Sequence, residues 1–280
     1  HRDLHSFPTR RSSDLNPKTD AIAIFTPTYG MYGVCAAIND IKVMQYRLKD
    51  DFAINVDEFL NSVTSDEKIV FICNPNNPTG NTQNLSDIIR IIEEFDGIVA
   101  LDEAYIDFCE DKTLLPYLNQ YPNLVILQTF SKAWGLAGAR LGLAFASTEI
   151  IDVLNKVKFP YNVGKPSLTV LGDALKNYQT VKEKISTLID EREFLAKELS
   201  QIHTVVKVYQ SESNFLLVKT TNADLIYSQL LNNGIVVRNR SNEPGCKECL
   251  RITVGSEVEN RRLVEVLKSV TRDKRQVTKN

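Results

Sequence analysis

Residues Thr129 to Gly142 read TFSKAWGLAGARLG, and the fold and the chemistry of the chain both follow from them. The stretch joins two apolar runs, LVILQTF (124–130) and LGLAFA (141–146), and takes in the end of the first and the start of the second; each has a length and composition that suits a buried strand. The small residues of AWGLAGA let backbone approach closely between them. Lys132 therefore stands just past the carboxyl end of one strand, and Arg140 stands at the start of the next. An ordinary lysine, titrating near about 10.4, is free amine at neutral pH in fewer than about one molecule in a thousand, so one that attacks a carbonyl needs an unusual setting. The planar fork of Arg140 suits a phosphate dianion better than a second lysine would. Lysine and arginine together suit a ligand carrying both an aldehyde and a phosphate. Taken alone, they also suit two surface residues beside a turn.

Three upstream stretches bear on that choice. In IVALDEAYIDF (98–108), Asp102 ends an apolar run and falls at the same sheet edge as Lys132. An acid in such a place needs a cationic partner. A protonated pyridine nitrogen is one, and keeping it protonated makes a pyridoxal ring an electron sink. Tyr105, three residues on, can donate to the phenolic oxygen of that ring. In CNPNNPTG (73–80) a strand ends in a rigid Asn/Pro turn that aims the Asn77 amide into the same crevice, although the turn chemistry explains itself equally well. In TPTYGMYG (26–33), Tyr29 follows a further strand, where it can stack on a flat ring or simply pack.

In this order Tyr29, Asn77, Asp102, Tyr105, Ser131, Lys132 and Arg140 resemble the site of the fold-type I aminotransferases that use pyridoxal 5'-phosphate (PLP). The wording of TPTYGMY, NPNNPTG, DEAYIDF, TFSKAWGLAGARLG and CLRITVG is similar to the histidinol-phosphate aminotransferase family, from about Asp20 to about Val270. Any one motif is weakly specific; five in the right order are strongly so. The resemblance implies a large PLP-binding domain over 16–200 with a connecting helix, and a small C-terminal domain over 201–280. Residues 1–15, HRDLHSFPTRRSSDL, match nothing in the family, have no apolar core of a secretion signal and read as a foreign leader. The family carries a phosphate loop and an N-terminal arm before the residue matching Asp20. From the resemblance the chain is therefore expected to be N-terminally truncated, to hold PLP poorly and to be nearly inactive as it stands.

With 280 residues, 43% of them apolar, and a net charge of −2, the chain can bury a large core and has no basic excess for nucleic acid. No run approaches the roughly 18 apolar residues of a membrane span. Cys246 and Cys249 form a C-x-x-C, but without a second pair and with only three histidines no metal site is expected. Five scattered cysteines fit reduced thiols in the cytoplasm.

From Ala21 to Ala146 the apolar runs AIAIF, IKVMQY, KIVFIC, GIVALD, LVILQTF and LGLAFA alternate with helical stretches such as LSDIIRIIEEF. That alternation predicts an α/β fold with a mostly parallel sheet, in which ligands bind beyond the carboxyl ends of the strands. No G-x-G-x-x-G follows the first strand, which disfavours a dinucleotide fold. Residues 166–202 read as one long or broken connecting helix. After it, strands near VVKVYQ, NFLLVK, GIVVRNR and LRITVG, with helices near ADLIYSQLLN and VENRRLVEVLKSV, predict a smaller α+β domain ending in a frayed tail, RDKRQVTKN.

Arg251 lies in the strand CLRITVG among apolar neighbours, so burying it needs an anion; the plainer possibility is an arginine facing solvent. The resemblance implies that Arg251, oriented by Asn77, takes the substrate's α-carboxylate, and that Arg238 faces the substrate phosphate. It also implies a homodimer whose small-molecule substrates are L-histidinol phosphate and 2-oxoglutarate, with imidazole-acetol phosphate and glutamate as products. Lys132 would hold PLP covalently and then move a proton between substrate and cofactor carbons. Two other readings keep the same core residues. One is a related PLP enzyme, an aromatic aminotransferase or threonine-phosphate decarboxylase, differing around Arg238. The other is a non-enzymatic regulator that senses PLP, which calls for a DNA-binding module that no helix-turn-helix before Asp20 supplies.

Overall fold

The structure, a computed structural model, describes residues 3–4, 15–17 and 19–272. Most of the expected leader, and residues 273–280 of the expected tail, lie outside the described residues.

Two sheets organise the chain. The larger is built from β1 (Asp3–Leu4), β2 (Ala21–Thr26), β3 (Lys42–Arg47), β4 (Glu67–Cys73), β5 (Ile98–Asp102), β6 (Leu124–Thr129) and β7 (Gly142–Phe145) in the order β1-β7-β6-β5-β4-β2-β3. Strands β2 to β6 run parallel, and β7 lies antiparallel to β6. The alternation predicted from the apolar runs is thus realised, with one antiparallel strand. Both faces are covered, as the near-continuous apolar runs require. Val70, Ile72, Val99, Leu101 and Ile126 point into one core together with Ile88, Ile91 and Ile92. The alternate residues Ile69, Phe71, Ala100, Val125 and Leu127 enter a second core on the opposite face.

Helices α1 (Met31–Ile38), α2 (Val56–Ser62) and α3 (Leu85–Glu94) separate the first strands. Helix α3 starts where the Asn84 side chain accepts from the Ser86 N–H at 3.0 Å, and it buries Ile88, Ile91 and Ile92, one face of a 3.6-residue period. After β7 comes α4 (Thr148–Val157), a helix the sequence reading does not single out. The connecting helix is broken: α5 (Lys165–Lys176) stops and α6 (Tyr178–Ser200) restarts at Asn177.

The smaller sheet, in the order β10-β11-β9-β8, is antiparallel: β8 (Val205–Val208), β9 (Phe215–Thr220), β10 (Arg238–Asn239) and β11 (Cys249–Thr253). Helices α7 (Ala223–Asn232) and α8 (Glu257–Arg272) cover one of its faces, with Leu195 and Leu199 of α6 in the same core. The strand predicted over GIVVRNR shrinks to Arg238–Asn239. Gly234, at φ +74°, and the bond from the Ile235 N–H to the Leu230 carbonyl at 2.9 Å close the end of α7, so the first residues of that run belong to a helix cap.

The sheets meet at the Asn/Pro turn. Glu212, between β8 and β9, donates its N–H to the Gly80 carbonyl at 2.8 Å and accepts from Thr82 Oγ1 at 2.6 Å, and its carboxylate also pairs with Lys112. Gly80 has φ +83°, and a Cβ there would stand 2.5 Å from Ser211 Oγ, so both its backbone and its neighbour demand glycine.

Candidate active site

The carboxyl ends of β2, β4, β5 and β6 open on a cavity of ≈ 170 Å³. Tyr29, Asn77, Asp102, Tyr105, Ser131, Lys132 and Arg140 all line it, so seven residues spread over more than a hundred positions converge. Parallel register does the converging: Cys73 pairs with Asp102, and Asp102 with Leu127, across three neighbouring strand ends.

Asp102 is buried, and its carboxylate accepts from the Tyr32 hydroxyl at 2.6 Å and from the Ala104 N–H at 3.0 Å. Tyr32, in α1, is itself buried, stacks on Phe71 and meets Tyr29 edge-on. Burial and the Asp102 charge raise the Tyr32 hydroxyl well above its ordinary value, so it stays a donor at every working pH. The motif TPTYGMYG contains this residue, and only its spacing of three from Tyr29, one turn along a helix, hints at the shared placement.

Lys132 sits in the turn after β6, with Nζ 5.3 Å from the centre of the Tyr105 ring. Burial lowers its pKa, and the positive charge of Arg251 lowers it further, against the opposing pull of Asp102. This is the unusual setting that a nucleophilic lysine needs. The turn is closed by bonds from the Gly135 N–H to the Lys132 carbonyl at 3.1 Å and from the Leu136 N–H to the Phe130 carbonyl at 2.9 Å. Arg140 adopts a left-handed φ of 54° and donates to the Ala137 carbonyl at 3.2 Å.

Trp134 anchors that turn. Its indole N–H donates to Asp107 at 3.0 Å, and its ring stacks on Tyr178 and meets Phe130 edge-on. Burial pushes the Asp107 carboxyl up to about 6. A carboxyl raised in the folded state binds its proton more tightly there than in the unfolded chain. Its contribution to stability is present below the unfolded value and lost as pH rises through about 6. Asp107→Asn is therefore expected to gain stability relative to the parent between pH 5 and pH 7, read from paired thermal melts. A constant difference between the two melts across that range would refute the burial of this charge.

From the smaller sheet, Arg251 Nη1 donates to Asn77 Oδ1 at 2.6 Å, and the guanidinium lies 5.0 Å from the centre of the Phe215 ring. Its Nε is buried and has no hydrogen-bond partner among the described residues. Arg238 stands directly opposite Arg251 in the β10–β11 ladder, so the two side chains leave the same face. The predicted solvent-facing alternative for Arg251 does not hold, because it is held against Asn77 and Phe215. Among the described residues no group of His, Cys, Asp and Glu could hold a metal ion, and no helix is long and apolar enough to cross a membrane.

A profile of the family described as aminotransferase class I and II matches residues 14–267. The histidinol-phosphate aminotransferase of Cytophaga hutchinsonii is 46% identical over 253 residues, which span 90% of this chain and 73% of that protein. The solved structure of the histidinol-phosphate aminotransferase from Clostridium acetobutylicum superposes with a TM-score of 0.89 at 23% identity, over 97% of this chain and 84% of that one. The enzyme of the same name from Sinorhizobium meliloti, solved with pyridoxal-5'-phosphate, gives a TM-score of 0.88 at 20% identity, over 98% and 77%.

Proposed function

Because the chain belongs to the class I and II aminotransferases, we propose that it moves the amino group of L-histidinol phosphate to 2-oxoglutarate, giving imidazole-acetol phosphate and glutamate. The reading is carried by the 46% identity with a histidinol-phosphate aminotransferase across nine tenths of the chain. The cavity residues fit the family's cofactor, PLP. They comprise a buried carboxylate, an amine pulled below its ordinary basicity, a hydroxyl and a guanidinium at Ser131 and Arg140, and an aromatic wall at Tyr29. When bound, PLP supplies an aldehyde that takes up the amino group and a ring that withdraws electrons from the reacting carbon.

The chain's own residues do the rest. Asp102, fixed by Tyr32 and Ala104, holds a proton on the ring nitrogen. Lys132, with its depressed pKa, would hold the cofactor and then move a proton between the substrate carbon that bears the amino group and the carbon of the cofactor's aldehyde. Tyr105 donates to the ring's phenolic oxygen. Ser131 and Arg140 would bind the cofactor phosphate, and Tyr29 would stack on the ring. Arg251, preset by Asn77, takes the α-carboxylate of glutamate or 2-oxoglutarate, and Arg238 faces the phosphate of histidinol phosphate.

Formation of glutamate from 2-oxoglutarate, with histidinol phosphate, phenylalanine or tyrosine as donor, tests the assignment. A strong preference for histidinol phosphate is expected; equal use of phenylalanine would make the protein an aromatic aminotransferase. Arg238→Ala is expected to raise KM for histidinol phosphate about 10- to 100-fold and to leave KM for 2-oxoglutarate within a small factor, since only the former brings a phosphate to pair. Equal effects on both would move the phosphate site elsewhere.

The proposal extends to a cytoplasmic homodimer. All five cysteines are free thiols, and Ile38, Phe159 and Tyr161 leave large apolar side chains exposed, as a subunit interface requires. Light scattering would show twice the chain mass; a monomer at working concentration would sink the dimer.

A further inference from the structure

We propose that Arg240 is a specificity-determining residue that grips, together with Arg238, the phosphate of the amino substrate. The proposal rests on the function just proposed, and it assigns a role to a residue outside the motifs that carry the family likeness.

Strand β10 pairs with β11 so that Arg238 faces Arg251 and Asn239 faces Leu250. The ladder runs one residue further, because the Arg240 N–H donates to the Cys249 carbonyl at 2.8 Å. Alternation along the strand then puts Arg238, Arg240 and Arg251 on one face. Asn239 and Leu250 take the other face, where Leu250 is buried against the helices. The arginine face is the one from which Arg251 reaches Asn77, a residue of the cavity wall, so Arg238 and Arg240 share their face with the arginine that touches the site.

Their charge is poorly balanced among the described residues. Arg240 meets a single carboxylate, with Nη1 3.6 Å from Glu243 Oε1, beyond hydrogen-bond distance. Its Nε is buried and has no hydrogen-bond partner among the described residues, and neither has the Nε of Arg251. A guanidinium offers five donors in a fixed fork, and buried donors left unmade are costly. Like charges directly opposite in a ladder, as Arg238 and Arg251 are, also destabilise it. Burial lowers the pKa of Arg251, and the positive charges of Arg240 and Arg238 lower it further, so the three guanidiniums lie near enough to repel one another. Such a cluster is completed by an anion with more than one charge and several acceptor oxygens. A phosphate monoester dianion meets that description better than a single carboxylate.

The test compares dissociation constants of the PLP-loaded protein for histidinol phosphate and for histidinol, which lacks the phosphate, by equilibrium titration. In Arg240→Gln the dissociation constant for histidinol phosphate is expected to rise about 10- to 100-fold, and that for histidinol to stay within about fivefold. Arg240→Lys, which keeps the charge but not the fork, should fall between parent and Arg240→Gln, and it serves as the second variant if the first folds poorly. Glu243→Gln should leave histidinol phosphate binding within about fivefold, because the contact it removes is a partly exposed ion pair. Equal weakening for both amines in Arg240→Gln, or the same loss in Glu243→Gln, would assign Arg240 to holding the β10–β11 loop and overturn the proposal. A parent protein that does not distinguish the two amines would overturn the functional reading itself, and the proposal with it.

Discussion

Asp102→Asn is expected to slow turnover about 100- to 1000-fold while leaving the fold and its melting temperature nearly unchanged. The two side chains have the same shape, and an asparagine at 102 can still accept from the Ala104 N–H and exchange a hydrogen bond with the Tyr32 hydroxyl. What it loses is the negative charge at the buried end of the cavity. Without that charge nothing holds a proton on the ring nitrogen, so the ring no longer draws electrons from the reacting carbon when the transition state needs it. The loss should therefore fall on kcat rather than on KM. Tyr32→Phe should give a smaller loss of the same kind, since it removes one donor to Asp102 and leaves the charge. Unchanged kcat in Asp102→Asn would remove Asp102 from the reaction.

The second large effect is at Lys132. Lys132→Ala should lose at least about 100- to 10,000-fold in turnover, the usual contribution of a positioned acid–base group. Part of that loss should return on adding methylamine, because a small free amine can enter the space vacated by the side chain and carry the proton. The bonds that close the turn, from the Gly135 N–H to the Lys132 carbonyl and from the Leu136 N–H to the Phe130 carbonyl, are made by backbone and do not use the Lys132 side chain. The variant should therefore fold normally. Turnover close to that of the parent, or a complete failure of any amine to restore it, would contradict the proton-carrying role.

Much of this arrangement is legible in the sequence because a parallel sheet converts linear order into spatial convergence. Asp102, Asn77, Tyr29 and Lys132 each follow an apolar run, and the carboxyl ends of those runs share one edge once the strands are in register. The broken connecting helix was also visible as a long amphipathic stretch, although the break at Asn177 leaves no proline or glycine to announce it. Contacts that depend on geometry between distant elements were not visible. The Tyr32–Asp102 hydrogen bond spans seventy positions, and the Trp134–Asp107 anchor joins two motifs that look independent when read along the chain. Arg240 is one more arginine in VVRNRS and carries no signal until the ladder shows which residues share its face. The β-branched residues of GIVVRNR suggest a longer strand than forms, because the cap of α7 claims the first part of the run.

The identity of the lysine that bonds the cofactor decides the site and the chemistry together. The PLP-loaded protein is reduced with borohydride, which makes the bond between lysine and cofactor permanent, and then digested, and the modified peptide is identified by mass. The expected result is one modified residue, Lys132, within the peptide that carries TFSKAWGLAGAR. Modification of another lysine, with Lys132 untouched, would contradict the site, the mechanism and the function drawn from it.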